Sequence, residues 1–191
     1  MNDNLITIAA TLENYDPLHE ARLLVLLKVA AGKGKHPDPV DGIMKLAKMD
    51  FLLRYPNILE RALVAISDKK PTAKKAAESI TESEKDTIEG RMIRFRFGPW
   101  DKRYRRWLSI MAAKQLLTVA KVGKTVQIQL TEKGRELADQ IASRDEFVDL
   151  AKRAGLVRFA VGNMSATRLM KFVYKIAPEI VEMKWGDSIK L

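Results

Sequence analysis

The 191 residues include no cysteine, only two histidines, and few aromatic side chains, at 7% of the chain. The missing cysteines exclude a disulfide scaffold, a thiolate zinc site and a cysteine nucleophile together. His19 and His36 lie without His-Glu-x-x-His spacing, which argues for ordinary surface residues over metal ligands. Long apolar runs are also missing, since Leu23 to Leu27 ends at Lys28, far too short to span a bilayer. No basic leader precedes an apolar core at Met1-Asn2-Asp3-Asn4, and Ile189-Lys190-Leu191 is not a peroxisomal tripeptide. A cytoplasmic protein with no membrane contact is the expectation. No internal repeat and no low-complexity tract stands out.

Catalytic constellations are scarce as well. Gly32-Lys33-Gly34-Lys35 looks suited to phosphate, but His36 follows where a P-loop needs Ser or Thr. Glu182-Met183-Lys184 matches the acidic-x-Lys half of many nuclease sites, yet no upstream strand Asp pairs with it. There is no Gly-x-Ser-x-Gly elbow. The expectation is a protein that is not an enzyme and binds no cofactor.

What the chain has in excess is positive charge, a net +10 from 34 Lys and Arg against 24 Asp and Glu. Almost all of it falls in residues 91–124, where ten basic side chains face Asp101 alone, a sum of +9. Such a concentration points to an anionic partner. The basic residues expected to form the contact are Arg91, Arg94, Arg96, Lys102, Arg103, Arg105, Arg106, Lys121 and Lys124. Arginine dominates, and its planar fork suits bidentate phosphate recognition. Three readings stay open here: a nucleic-acid backbone, an acidic protein surface, or a solvated basic face.

Periodicity predicts a mainly α chain with a small β ribbon. Asp16-Pro17 opens a helix to about Ala31, stopped by Gly32. After a Gly- and Pro-rich loop, helices are expected over Val40–Arg54 and Asn57–Ile66, with Pro56 between them. Residues 67–90 read as a polar, mobile insertion with one helical turn near Ala73–Ile80. Arg91–Phe97 alternates as a strand, with Ile93, Phe95 and Phe97 on an apolar face and Arg94 and Arg96 on a basic one. Gly98-Pro99 breaks it, and Asp101 caps a helix from Lys102 to Leu117 striped with Tyr104, Trp107, Leu108, Met111 and Ala112. Phe95, Phe97, Tyr104 and Trp107 are expected in the core, and Trp100 could be exposed or not.

Val119–Val122, Gly123-Lys124 and Val126–Leu130 then form a tight hairpin, and Thr131 caps the next helix. Together these elements predict a winged-helix core with helical N- and C-terminal extensions. The expected units are 1–39, an N-terminal helix and linker; 40–142, the core with its insertion; and 143–191, a C-terminal extension. That extension holds a helix over Arg144–Ala154 and another from Ser165 to Ala177. Apolar helices outside a small core either serve assembly or simply thicken the domain. Leu23, Leu27, Leu169, Phe172, Val173 and Ile176 are therefore the candidate partner-binding residues.

Four segments carry a resemblance: Lys45-Leu-Ala-Lys-Met-Asp-Phe-Leu-Leu-Arg-Tyr-Pro56, Phe97-Gly-Pro-Trp-Asp-Lys-Arg-Tyr104, Leu130-Thr-Glu-Lys-Gly134 and Met170-Lys-Phe-Val-Tyr-Lys-Ile-Ala-Pro-Glu-Ile180. Over roughly residues 40–190 the chain resembles the small middle components of three-component ABC-type systems, including Lamassu antiphage and anti-plasmid systems. The resemblance implies a non-enzymatic accessory subunit of a bacterial defence complex. Its partners would be an SMC-like coiled-coil ATPase, a nuclease effector subunit and double-stranded DNA. It implies no residue-level site. The alternative is a transcription regulator that binds operator DNA as a homodimer, and a third reading is a protein adaptor.

Overall fold

The fold is that of a computed structural model, which describes residues 15–31, 39–85 and 90–191. The Gly32–Lys35 motif and His36 lie outside the described residues.

Helix α1 (Asp16–Ala31) buries five consecutive residues, Leu23 to Leu27, so it is enclosed on every side. It packs against α2 (Ile43–Arg54), α6 (Tyr104–Ala113), α7 (Glu132–Ala142), α8 (Val148–Val161) and the three-stranded sheet. That sheet has the order β1 (Val40–Asp41), β5 (Thr125–Leu130), β4 (Leu117–Val122), all antiparallel. The residues expected to begin the second helix instead pair with β5, Val40 opposite Ile128 and Asp41 opposite Gln127. Gly42, at φ 89°, makes the turn into α2, and its N–H donates to the Val126 carbonyl at 2.7 Å. Helix, strand, helix, then a further helix leading into a two-stranded wing is the winged-helix order. Its first helix is thus α1, which the sequence suggested was an extension. The helix α3 (Pro56–Ile66) belongs to a long insertion between α2 and α6.

The insertion holds more structure than its polarity suggested. Residues 67–90 include α4 (Thr72–Glu78) and α5 (Glu82–Lys85), and Ala73, Ala77 and Ile80 are buried. Small alanines let α4 lie close on α3. Thr81 and Glu84 form a reciprocal cap, Thr81 N–H donating to Glu84 Oε2 at 2.9 Å and Glu84 N–H to Thr81 Oγ1 at 3.3 Å.

The Arg91–Phe97 strand is shorter than expected and turns early. Strand β2 (Ile93–Phe95) pairs with β3 (Gly98–Trp100), so Gly98-Pro99 forms the return strand, with Gly98 at φ 117°. The C-terminal residues run beside β2: Arg94 N–H donates to the Asp187 carbonyl at 2.8 Å and Gly186 N–H to the Arg94 carbonyl at 2.7 Å.

The wing agrees with expectation. Val122 pairs with Thr125 across a two-residue Gly123-Lys124 turn, and Gly123 takes φ 59°. Thr131 Oγ1 accepts the Gly134 N–H at 3.1 Å, capping α7. Gly134 is required for a second reason: a Cβ there would stand 1.8 Å from the Leu116 carbonyl oxygen. A short 3-10 turn (Asp145–Phe147) precedes α8, which runs on to Val161, well past Ala154. Ser165 caps α9 (Ala166–Ile176), and α10 (Glu179–Glu182) follows. Among the described residues no helix is long and apolar enough to cross a membrane.

One apolar cluster draws on α1, the insertion, the wing and α9. This corrects the partner-binding assignment. Leu23, Leu27, Leu169, Val173 and Ile176 are buried within the chain's own core, and Phe172 packs half-buried against it. The apolar faces of the buried five are already covered, α1 by α2, α7 and α8, and α9 by α2 and α3, so those five offer no partner a surface and only part of Phe172 remains open.

Candidate nucleic-acid interface

Helix α6 precedes the wing, and its apolar stripe decides which way its basic residues point. Tyr104, Trp107, Leu108 and Met111 are buried, as expected, which turns Arg105, Arg106 and Ser109 outward. The helix stops at Ala113, earlier than Leu117. Gln115 adopts φ 59°, and the chain leaves at Leu117 as β4.

The nine basic candidates divide by what they touch. Lys102 and Arg105 are exposed at the start of α6, and Lys121 and Lys124 are exposed on the wing. Arg91 is exposed ahead of β2. Arg96 is exposed at the hairpin turn, its guanidinium 5.2 Å from the Phe97 ring centre. Arg106 is exposed but ion-paired to Asp16. Arg103 is half-buried, its Nη2 2.8 Å from Asp101 Oδ2 and its guanidinium over the Trp107 ring. Arg94 departs furthest from expectation because it is buried. It donates to the Phe95 carbonyl and to Tyr174 Oη at 3.1 Å, and it stacks on the Tyr174 ring. It cannot reach a phosphate.

The expected faces are therefore reversed at Arg94 and Phe95 within β2, while Arg96 in the turn is exposed as expected. Arg94 points inward, while Phe95 and Phe97 are 41% and 45% exposed. The inward position is tolerable for arginine because its Nη1 bonds to Tyr174 and a carbonyl, its guanidinium stacks on the Tyr174 ring and its stem packs as an apolar chain, although Nε is buried without a partner. Trp100 is half-buried between Phe95 and Tyr104.

Beneath the basic face lies a buried ionic network that locks α6 to α1 and α2. Asp50 is fully buried and accepts from Arg22 Nε at 2.8 Å, Arg54 Nε at 2.9 Å and Tyr104 Oη at 2.6 Å. Arg54, also fully buried, donates from Nη1 to Asp101 Oδ2 at 3.0 Å. Burial alone would raise the Asp50 pKa, but the charges of Arg22 and Arg54 outweigh it and hold the carboxyl well below the usual range. At Asp101 burial again pushes up, while the Arg103 hydrogen bond and the Arg54 charge bring the pKa down to about 2. Asp101 also accepts the Arg103 N–H at 3.0 Å, and Tyr104 N–H donates to its carbonyl at 3.3 Å, so it holds the turn that leads into α6. The cap position itself falls on Arg103, not on Asp101 as expected, because the helix begins at Tyr104. The network neutralises the one acid of the basic segment internally, and among the described residues Lys102, Arg105, Lys121 and Lys124 enter no ion pair.

Sequence reasoning missed this network, together with His19. His19 is buried against Trp107, ring centres 4.6 Å apart, with Nδ1 2.7 Å from Arg22 Nη1. A signal was present: Asp50 and Arg54 stand at i, i+4 inside an apolar helix, where charges persist only when paired. No family model, no curated protein and no solved structure matches the chain. Among the described residues no three His, Asp or Glu side chains gather as a metal site. A cavity of about 390 Å³ is lined by Lys45 and Arg158, among others. Both are engaged elsewhere, Lys45 on the Gly162 carbonyl at 3.2 Å and Arg158 on the Val29 carbonyl at 2.9 Å.

Proposed function

We propose that the chain is a non-enzymatic accessory subunit of a bacterial defence complex, laying a basic, sequence-nonspecific face on duplex DNA beside an SMC-like ATPase. The observation that carries the DNA contact is the set of exposed cations around α6 and on the wing: Lys102 just before the helix, Arg105 on it, and Lys121 and Lys124 on the wing. Cations on a helix start and on a wing tip are placed to follow a phosphate backbone. The exposed side of α6 offers Ser109 as its one short polar side chain, too little to read base edges. The ATPase and a nuclease effector enter through the resemblance of residues 45–56, 97–104, 130–134 and 170–180. The core role of α1 and α9 means that such a partner meets another surface.

A second reading, a homodimeric transcription regulator, is favoured by one observation. Helix α6 stands immediately before the wing, where a recognition helix stands. Competition separates the two. A pool of random duplexes should compete as well as any selected sequence. A selected operator that outcompetes the pool about a thousandfold would replace the accessory-subunit reading with the regulator. Co-purification from the native host tests the partner: an SMC-like ATPase in the assembly supports the proposal, and a homodimer alone refutes it.

A further inference from the structure

The hairpin β2–β3 presents aromatic rings to solvent where the sequence pattern called for core. Phe95 is 41% exposed, Phe97 45% and Trp185 67%. Large exposed rings in one small region are uncommon on a surface that meets only water. Their placement follows from the backbone. Phe95 faces Gly98 across the hairpin, and Gly186 N–H donates to the neighbouring Arg94 carbonyl on the other side. Glycines on both flanks leave the Phe95 ring without a cross-strand side chain to cover it. It rests at 5.9 Å on Trp100, nearly parallel to it. Trp185 precedes the paired C-terminal stretch, at its end toward the hairpin turn.

Charge distinguishes this patch from an ordinary apolar docking site. Arg96 lies over the Phe97 ring, and Lys102 and Lys184 are exposed on the adjoining segments. Asp101 is bound by Arg54 and Arg103, and the Asp187 carboxylate accepts the Lys184 N–H at 3.0 Å. Rings standing among cations match a polyanion whose units carry flat faces.

We infer that the β2–β3 hairpin and Trp185 form a stacking platform for unpaired nucleobases, so the chain binds single-stranded nucleic acid on a surface separate from the wing. Phe95, Phe97 and Trp185 supply the ring faces, and Arg96, Lys102 and Lys184 attract the intervening phosphates. The contact is sequence-tolerant because every base presents a π face. It goes beyond the duplex reading and shares only Lys102 with it; the rings, Arg96 and Lys184 stand on other elements.

The test uses the full chain and an oligothymidylate of about 20 nucleotides carrying one 2-aminopurine. Stacking on a ring changes the probe's fluorescence, whereas phosphate contact alone does not. The wild-type chain should bind it with a fluorescence change. Each ring removed should weaken binding roughly tenfold, so Phe95→Ala, Phe97→Ala and Trp185→Ala together should abolish measurable binding. Trp185→Phe should retain binding that Trp185→Ala loses. Both replace an exposed side chain, so the fold is not at stake. Glu at Lys121 and Lys124 should weaken blunt duplex binding and leave the 2-aminopurine signal intact, which separates failure of this inference from failure of the duplex reading. The inference falls if the oligonucleotide does not bind, if its probe signal stays flat, or if the triple variant binds like wild type. It also falls if a co-purified protein subunit shields Trp185 from iodide quenching while the oligonucleotide does not.

Discussion

Replacing Asp50 by Ala should be among the most damaging single changes in this chain. Its carboxylate is the shared anion of Arg22 and Arg54, and the three side chains are almost fully shielded from water. Removing it leaves Arg22 facing only His19 and leaves Arg54 with Asp101 alone. Taking one partner from a buried ion pair costs about 3–5 kcal/mol, chiefly the penalty of an uncompensated buried charge. A domain is stable by only about 5–15 kcal/mol, so much of the margin would go. The thermal midpoint should fall by roughly 6–20 °C at this chain length. Urea unfolding at pH 7 followed by circular dichroism measures the loss. A companion variant, Asp50→Leu with Arg22→Met, removes both charges and should recover a good part of it. A loss under about 1 kcal/mol for Asp50→Ala, or no recovery in the pair, would refute the reasoning. The acid limb gives an independent reading. A carboxylate whose pKa is lowered by folding stabilises fully above its unfolded value near 4 and loses that contribution as pH falls through its folded value. Stability should therefore decline from about pH 4 toward the Asp101 value of about 2. The Asp50→Ala variant should show a shallower decline.

Lys48 is buried with one hydrogen bond, to the Met44 carbonyl at 3.0 Å, and burial lowers its pKa to about 8. Below pH 8 its charge destabilises the fold, and the penalty is relieved as pH rises toward its unfolded value. Lys48→Met should thus raise stability at pH 7 by about 2 kcal/mol and flatten the pH dependence above 8, as urea titrations across that range would record. Gly134→Ala should cost about 2–4 kcal/mol because its Cβ meets a backbone oxygen, and calorimetry showing an unchanged midpoint would contradict that packing.

Elements with strong local signals were legible in the sequence. Asp16-Pro17 fixed the start of α1, Gly123-Lys124 the wing turn, and Thr131 the cap of α7, because each rests on neighbours within four residues. Residues whose surroundings come from afar were misplaced. The alternation through Ile93, Arg94 and Phe95 shows that two faces differ but not which one is covered. The C-terminal stretch beside β2 and Tyr174, eighty residues away, make the Arg94 side the inner one. Leu23 and Leu169 looked like spare apolar surface because nothing local shows that α1 passes through the centre of the molecule. The basic segment was legible as charge, while its division into exposed cations and internally paired ones depended on where Asp16, Glu20 and Asp101 meet it in space.

That division changes which variants are informative about DNA. Glu at Arg103 or Arg106 would set a carboxylate against Asp101 or Asp16 and disturb the fold. Lys102, Arg105, Lys121 and Lys124 carry no such pairing in the network and are the residues to reverse. The most direct measurement is the affinity for a random-sequence duplex as a function of salt. Four phosphate contacts imply a slope of about −3.6 in log K against log salt, and Glu at all four positions should abolish binding while leaving the thermal midpoint near wild type. An affinity that does not change with salt, or a quadruple variant that binds like wild type, would contradict the account.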